Sequence, residues 1–186
     1  MTLYEKTQSS DHVRVWDIAV RLFHWSLVAM VTLAYYFDEP RKLHRTLGYI
    51  VIGLIAFRLV WGVIGTRHAR FIDFVPRPDQ LLGYLRDMLR SRESRYLGHN
   101  PAGAAMILFL LATLSAIGAT GYMMGMDAYF GQEWVENAHE FLVNFLLVLV
   151  ACHVAGVIFS SWHHRENLVM SMITGQKALH DNKTND

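Results

Sequence analysis

Polar residues in this chain are gathered into a few connections, and four long apolar stretches run between them: residues 18–37, 43–65, 102–126 and 137–162. Each reaches the roughly 20 residues that cross a hydrocarbon core at a rise of about 1.5 Å per residue. A soluble fold does not readily bury four such segments, so the pattern predicts an all-α, integral membrane four-helix bundle. A further helix is expected over 78–91, where Leu81, Leu82, Tyr84, Leu85, Met88 and Leu89 gather on one side. Arg86, Asp87 and Arg90 fall towards the other side, and Pro78 suits a first helical turn. A basic amphipathic helix of this kind lies at a membrane interface. Residues 1–175 read as a single transmembrane domain and 176–186 as a polar C-terminal tail.

Composition agrees with the pattern. Of 186 residues, 53% are hydrophobic and 18% charged, fewer charges than a soluble domain of this length carries. The net charge of +1 says little, because distribution decides orientation. The connection over 66–100 carries Arg67, Arg70, Arg77, Arg86, Arg90, Arg92 and Arg95. Lys6 and Arg14 precede the first span, and Arg165, Lys177 and Lys183 follow the last. The other connections are short: DEPRK at 38–42, with Arg41 and Lys42, and the stretch around Asp127 to Glu133. Both termini and the long loop are therefore expected to be cytoplasmic. The N-terminus has no apolar core with a small-residue cleavage site, so the first span is expected to act as its own membrane signal. The single cysteine, Cys152, excludes an internal disulfide and a CxxCH haem attachment, and reads as a small packing residue. No nucleic-acid partner is expected.

Chemistry enters with the histidines. His139 and His153 lie in the fourth stretch, about 21 Å apart along a helix and within roughly 40° of one face. Ionisable side chains at membrane depth are costly and usually functional. His24 lies near the cytoplasmic start of the first stretch and His44 at the outer start of the second, so they differ in depth by roughly 19 Å. Depth pairs His24 with His153 on the inner side and His44 with His139 on the outer side. Two histidines facing each other can ligate a haem iron from both sides, which leaves no open position and suits electron transfer.

Gly48, Gly53, Gly103, Gly118, Gly121 and Gly156 are candidates to give a flat macrocycle room, although small residues also serve ordinary helix contacts. Arg21, Arg45 and Arg58 are placed to meet haem propionates, with snorkelling to headgroups an equal account of Arg21 and Arg45. Arg58 is deeper and belongs with the inner pair. His99, before Asn100 and Pro101, could touch a propionate or cap the third helix. His12, His68, His163, His164 and His180 read as surface residues. A zinc or proton transporter and a scaffold subunit are the readings from other classes. Zinc sites cluster four ligands, whereas these histidines divide into two distant pairs.

The motifs RLFHW at 21–25, HRTLGY at 44–49, FRLVWG at 57–62, GHNPAG at 98–103 and the HE and CH pairs at 139–140 and 152–153 resemble the bacterial cytochrome b561 and nickel-iron hydrogenase b-type cytochrome family. The resemblance covers about residues 12–175. It implies a multi-pass bacterial inner-membrane protein with two b-type haems, for which His24, His44, His139 and His153 would be the axial iron ligands. It also implies electron transfer between the quinone pool and a periplasmic redox partner, either a c-type cytochrome or a dehydrogenase subunit. Whether the chain has quinol or quinone oxidoreductase activity of its own stays open. A cytochrome b subunit of a hydrogenase- or formate dehydrogenase-like complex is the alternative. This chain lacks the cysteines for nickel-iron or iron-sulfur clusters, so any such enzyme would be a separate polypeptide. Glu140, Asp127 and Glu133 on one side, or His99 and Asp73 on the other, are candidates to serve a quinone. Ala104, Ala105, Ala112 and Ala119 would give the third span a small-residue face for the bundle or for a homodimer.

Overall fold

The computed structural model describes residues 12–90, 92, 94, 96 and 98–178. Lys6, Arg95, His180 and Lys183 lie outside the described residues. The elements in chain order are β1 (His12–Arg14), α1 (Ile18–Tyr36), α2 (Arg41–Ile64), α3 (Phe71–Phe74), α4 (Pro78–Leu89), α5 (Pro101–Met123), α6 (Glu133–His163), α7 (Leu168–Thr174) and β2 (Gln176–Ala178). Of these, α1, α2, α5 and α6 are long and apolar enough to cross a membrane. The protein is a helical membrane bundle.

Local chemistry sets the helix ends. Asp17 caps α1 by accepting from the Val20 N–H at 2.8 Å, and Asn100 caps α5 by accepting from the Gly103 N–H at 2.7 Å. Pro101 takes the first turn of α5, where its missing N–H costs nothing. Asn100 therefore fills the capping role that the sequence left open for His99. The fourth span begins at Glu133, earlier than its apolar run, because Glu133 and Glu136 suit the positive end of the helix dipole.

The packing order is α1 on α2, α2 on α5 and α5 on α6. Contacts of α6 with α1 and α2 are sparser among the described residues. Val51, Ile55, Leu114 and Leu146 form a buried cluster bridging the helices, with Leu27, Met30, Val31, Leu110 and Ile117 packed around it.

The helix expected over 78–91 is α4, which buries Tyr84 against the bundle and leaves Leu82 and Leu89 exposed, as a helix at a membrane surface would. Three features depart from the sequence reading. Cys152 is exposed on α6, and so is not a packing residue of this bundle. Ala104 is fully buried, whereas Ala112 and Ala119 are exposed, so the small-residue stripe is not one uniform contact face. Residues 176–178, assigned to the tail, instead form β2, antiparallel to β1 with Val13 opposite Lys177. Gly175 makes that turn possible: its φ of 83° suits glycine, and a Cβ there would meet the Trp16 carbonyl oxygen at 2.7 Å.

Candidate functional site

The bundle carries imidazoles at two levels. At one end, His44 from α2 and His139 from α6 face each other with ring centroids 6.4 Å apart. The His44 Nδ1 lies 2.9 Å from the Ala34 carbonyl oxygen of α1, and the His139 Nδ1 lies 2.9 Å from the Thr120 Oγ1 of α5. Four helices thus meet at this pair. At the other end, His24 from α1 and His153 from α6 lie within electrostatic reach of each other, and the His24 Nδ1 is buried without a hydrogen-bond partner. The apolar cluster around Val51 and Leu146 separates the two levels.

The His24 end is dense with buried polar groups. Arg58 is 3% exposed, with its guanidinium 4.8 Å from the centre of the Phe71 ring and 5.9 Å from that of Phe74. His99 is held between Trp16 and Phe74, at centroid distances of 4.5 and 4.6 Å. Burial, then the charges of Arg58, Lys177 and His68, push the His99 pKa down to about 3, so its ring is neutral at physiological pH. Nη1 of Arg58, Nδ1 of His99 and Nε of Arg21 join the His24 nitrogen as buried polar atoms without partners among the described residues. Orphaned buried polar atoms are costly, and the two arginine nitrogens among them are donors that call for an acceptor group there.

Asp17 ties this end together. Its second carboxylate oxygen accepts from Trp61 Nε1 at 3.2 Å and from the Thr66 hydroxyl, joining the start of α1 to the end of α2. Burial raises its pKa, but hydrogen bonds from Thr66, Val20, Trp61 and Ala19 outweigh that and hold it below its ordinary value. Arg21 also donates to the Ile173 carbonyl at the end of α7, a backbone tie that neither propionate binding nor snorkelling anticipates. Arg45 is exposed. Glu140, Asp127 and Glu133 are exposed at the far end, and Asp73 is paired with Arg70 at 2.7 Å.

The glycines divide by surroundings. A Cβ on Gly48 or Gly156 would meet nothing within 4 Å, and helical periodicity puts both on the histidine-bearing faces of α2 and α6. Gly53 is equally open but lies on the face of α2 opposite His44. At Gly121 a Cβ would approach His139 Cε1 to 3.2 Å, and at Gly118 it would meet Ile52 at 2.8 Å, an ordinary helix contact. The room at Gly103 is taken by its own cap, Asn100. Sequence reasoning did not single out Thr120, Asp17 or the aromatic wall of Trp16, Phe71 and Phe74. A Thr nineteen positions before a histidine carries no local signal.

Four spanning helices enclosing paired imidazoles at two depths define a membrane cytochrome b architecture. The sequence profile of the prokaryotic cytochrome b561 family matches residues 15–175, and the chain belongs to that family. Among curated relatives, a probable Ni/Fe-hydrogenase B-type cytochrome subunit of Azotobacter vinelandii is 25% identical, covering 96% of this chain and 94% of its own. One from Cupriavidus necator is 26% identical over 90% and 87%, and a probable Ni/Fe-hydrogenase 1 B-type cytochrome subunit of Escherichia coli is 26% identical over 63% of each. The protein is thus a multi-pass membrane cytochrome of electron transport, and the family implies b-type haem.

The residues present fit that group. Metal–imidazole bonds of about 2 Å on each side put ring centroids roughly 6 Å apart, close to the spacing of His44 and His139. Among the described residues, no group of three or more His, Cys, Asp or Glu is placed to hold a free metal ion. Open space beside Gly48 and Gly156, the unpartnered donors of Arg21 and Arg58 and the unpartnered His99 nitrogen complete the fit.

Proposed function

We propose that this chain is the membrane cytochrome b subunit of a hydrogenase-like complex, holding two haems b and carrying electrons between a separate catalytic subunit and the quinone pool. His44 and His139 would hold one haem, and His24 and His153 the other. Arg58, His99 and the Nε of Arg21 serve the propionates at the His24 end. A haem held by two histidines would supply a one-electron couple suited to electron transfer. The chain's own residues orient the imidazoles and keep water from the level between the pairs through Val51, Ile55, Leu114 and Leu146.

The observation carrying this reading is the opposed His44 and His139 rings, with a second imidazole pair beyond the apolar cluster. The hydrogenase association rests on the names of the relatives, which support it over a stand-alone carrier or a formate dehydrogenase-like assembly. The arginine-rich connection supports a cytoplasmic placement of the termini and of α4, in the inner membrane. The catalytic subunit then docks from the periplasmic side, at the His44 end. A pyridine haemochrome assay tests the cofactor part: two haems b per chain are expected, with His44→Ala and His24→Ala each losing a different one. No haem, or the same haem lost in both variants, overturns the pairing.

A further inference from the structure

The two imidazole pairs are not held alike. Thr120 Oγ1 lies 3.0 Å from the carbonyl oxygens of both Ala116 and Ile117, one turn back on α5, and 2.9 Å from His139 Nδ1. A hydroxyl has one hydrogen, and directing it at His139 would leave its oxygen facing two carbonyl oxygens without a donor between them. The satisfied arrangement has the hydroxyl donating back to the helix and accepting from His139 Nδ1–H. That fixes the tautomer: Nδ1 carries the proton and Nε2 the lone pair. The neighbouring residue, Gly121, leaves the imidazole room, since a Cβ there would crowd Cε1 to 3.2 Å. On the opposite ring the Ala34 carbonyl accepts from His44 Nδ1. At the other level His24 Nδ1 has no partner among the described residues.

We propose that Thr120 is a positioning residue that sets the tautomer and electron density of the His139 imidazole, and so lowers the potential of the haem at the His44–His139 level relative to a site without this hydrogen bond. The inference rests on the ligand assignment above. A ligating histidine that donates its other N–H becomes a more basic ligand, and a more basic ligand favours the oxidised metal. The Thr120–Gly121 pair acts through the histidine and touches no iron.

The test is an optical redox titration of the purified, haem-loaded full chain, with low-temperature EPR of the oxidised protein, for wild type, Thr120→Val, Thr120→Ala and Thr120→Ser. His44→Ala identifies which potential belongs to which level. The expected result is an upward shift in the potential of the His44–His139 haem in both hydroxyl-free variants, with the other haem unmoved and the EPR signal of only one centre altered. Thr120→Ser should restore the wild-type potential. Unchanged potentials, an equal shift of both haems, or a serine variant that behaves like valine would overturn the inference while leaving the ligand assignment standing. A wild-type chain without haem, or His44→Ala that loses none, would overturn both.

Discussion

Val51 of α2 and Leu146 of α6 share one buried cluster, and each stands midway between two candidate site residues on its own helix. Val51 lies between His44 and Arg58, and Leu146 lies between His139 and His153, about 10 Å from each by helical rise. The two helices thus carry matched ladders: imidazole, aliphatic, then cation or imidazole. The aliphatic rung keeps the two levels apart, so changes made at one level should be read at that level alone.

Arg58 is the sharpest case. It is buried at the His24 level with an unpartnered Nη1, so its charge favours the reduced form of a redox centre there. A single charge roughly 10 Å away, at an effective dielectric constant of about 20, is worth about 1.5 kcal/mol. Arg58→Met should lower one midpoint potential by tens of millivolts, on the order of ~60 mV per 1.4 kcal/mol for one electron. A redox titration in which neither potential moves, or both move equally, would remove Arg58 from this role.

Gly48 separates folding from cofactor binding. Leucine there improves helix propensity by about 1 kcal/mol, so the helix itself is not weakened. The new side chain enters open space on the His44 face, where the macrocycle is expected. Gly48→Leu should retain its circular dichroism and lose about half the haem, whereas Gly53→Leu, on the opposite face, should keep it all. Equal haem content in the two variants would place the cofactor elsewhere.

Asp17 predicts a pH-dependent stability. Asp17→Ala removes a helix cap and two side-chain hydrogen bonds, a loss of about 2–3 kcal/mol. Because the folded-state pKa lies below the ordinary value, this contribution is present above the unfolded pKa and fades as pH falls through the folded one. Thermal unfolding in detergent should therefore show the full gap between wild type and variant at neutral pH and a narrowing gap below about pH 4. A gap that widens on acidification would contradict the hydrogen-bonded carboxylate.

The sequence by itself determined the membrane class and the four long helices to within a few residues, because bilayer thickness and helical rise are fixed lengths that a linear pattern can record. Resemblance added the family. Only the tertiary structure decided what surrounds those positions. Arg58 could be placed at a depth from its number, but not under Phe71 and Phe74, which come from a connecting segment with no periodicity. Asp17 read as an ordinary polar residue before a span until Trp61 and Thr66 arrived from the far end of α2. The residue that orients His139 was invisible in the same way. A threonine that bonds its own helix can fall anywhere along an apolar span, and only the packing of α5 on α6 brings this one to an imidazole.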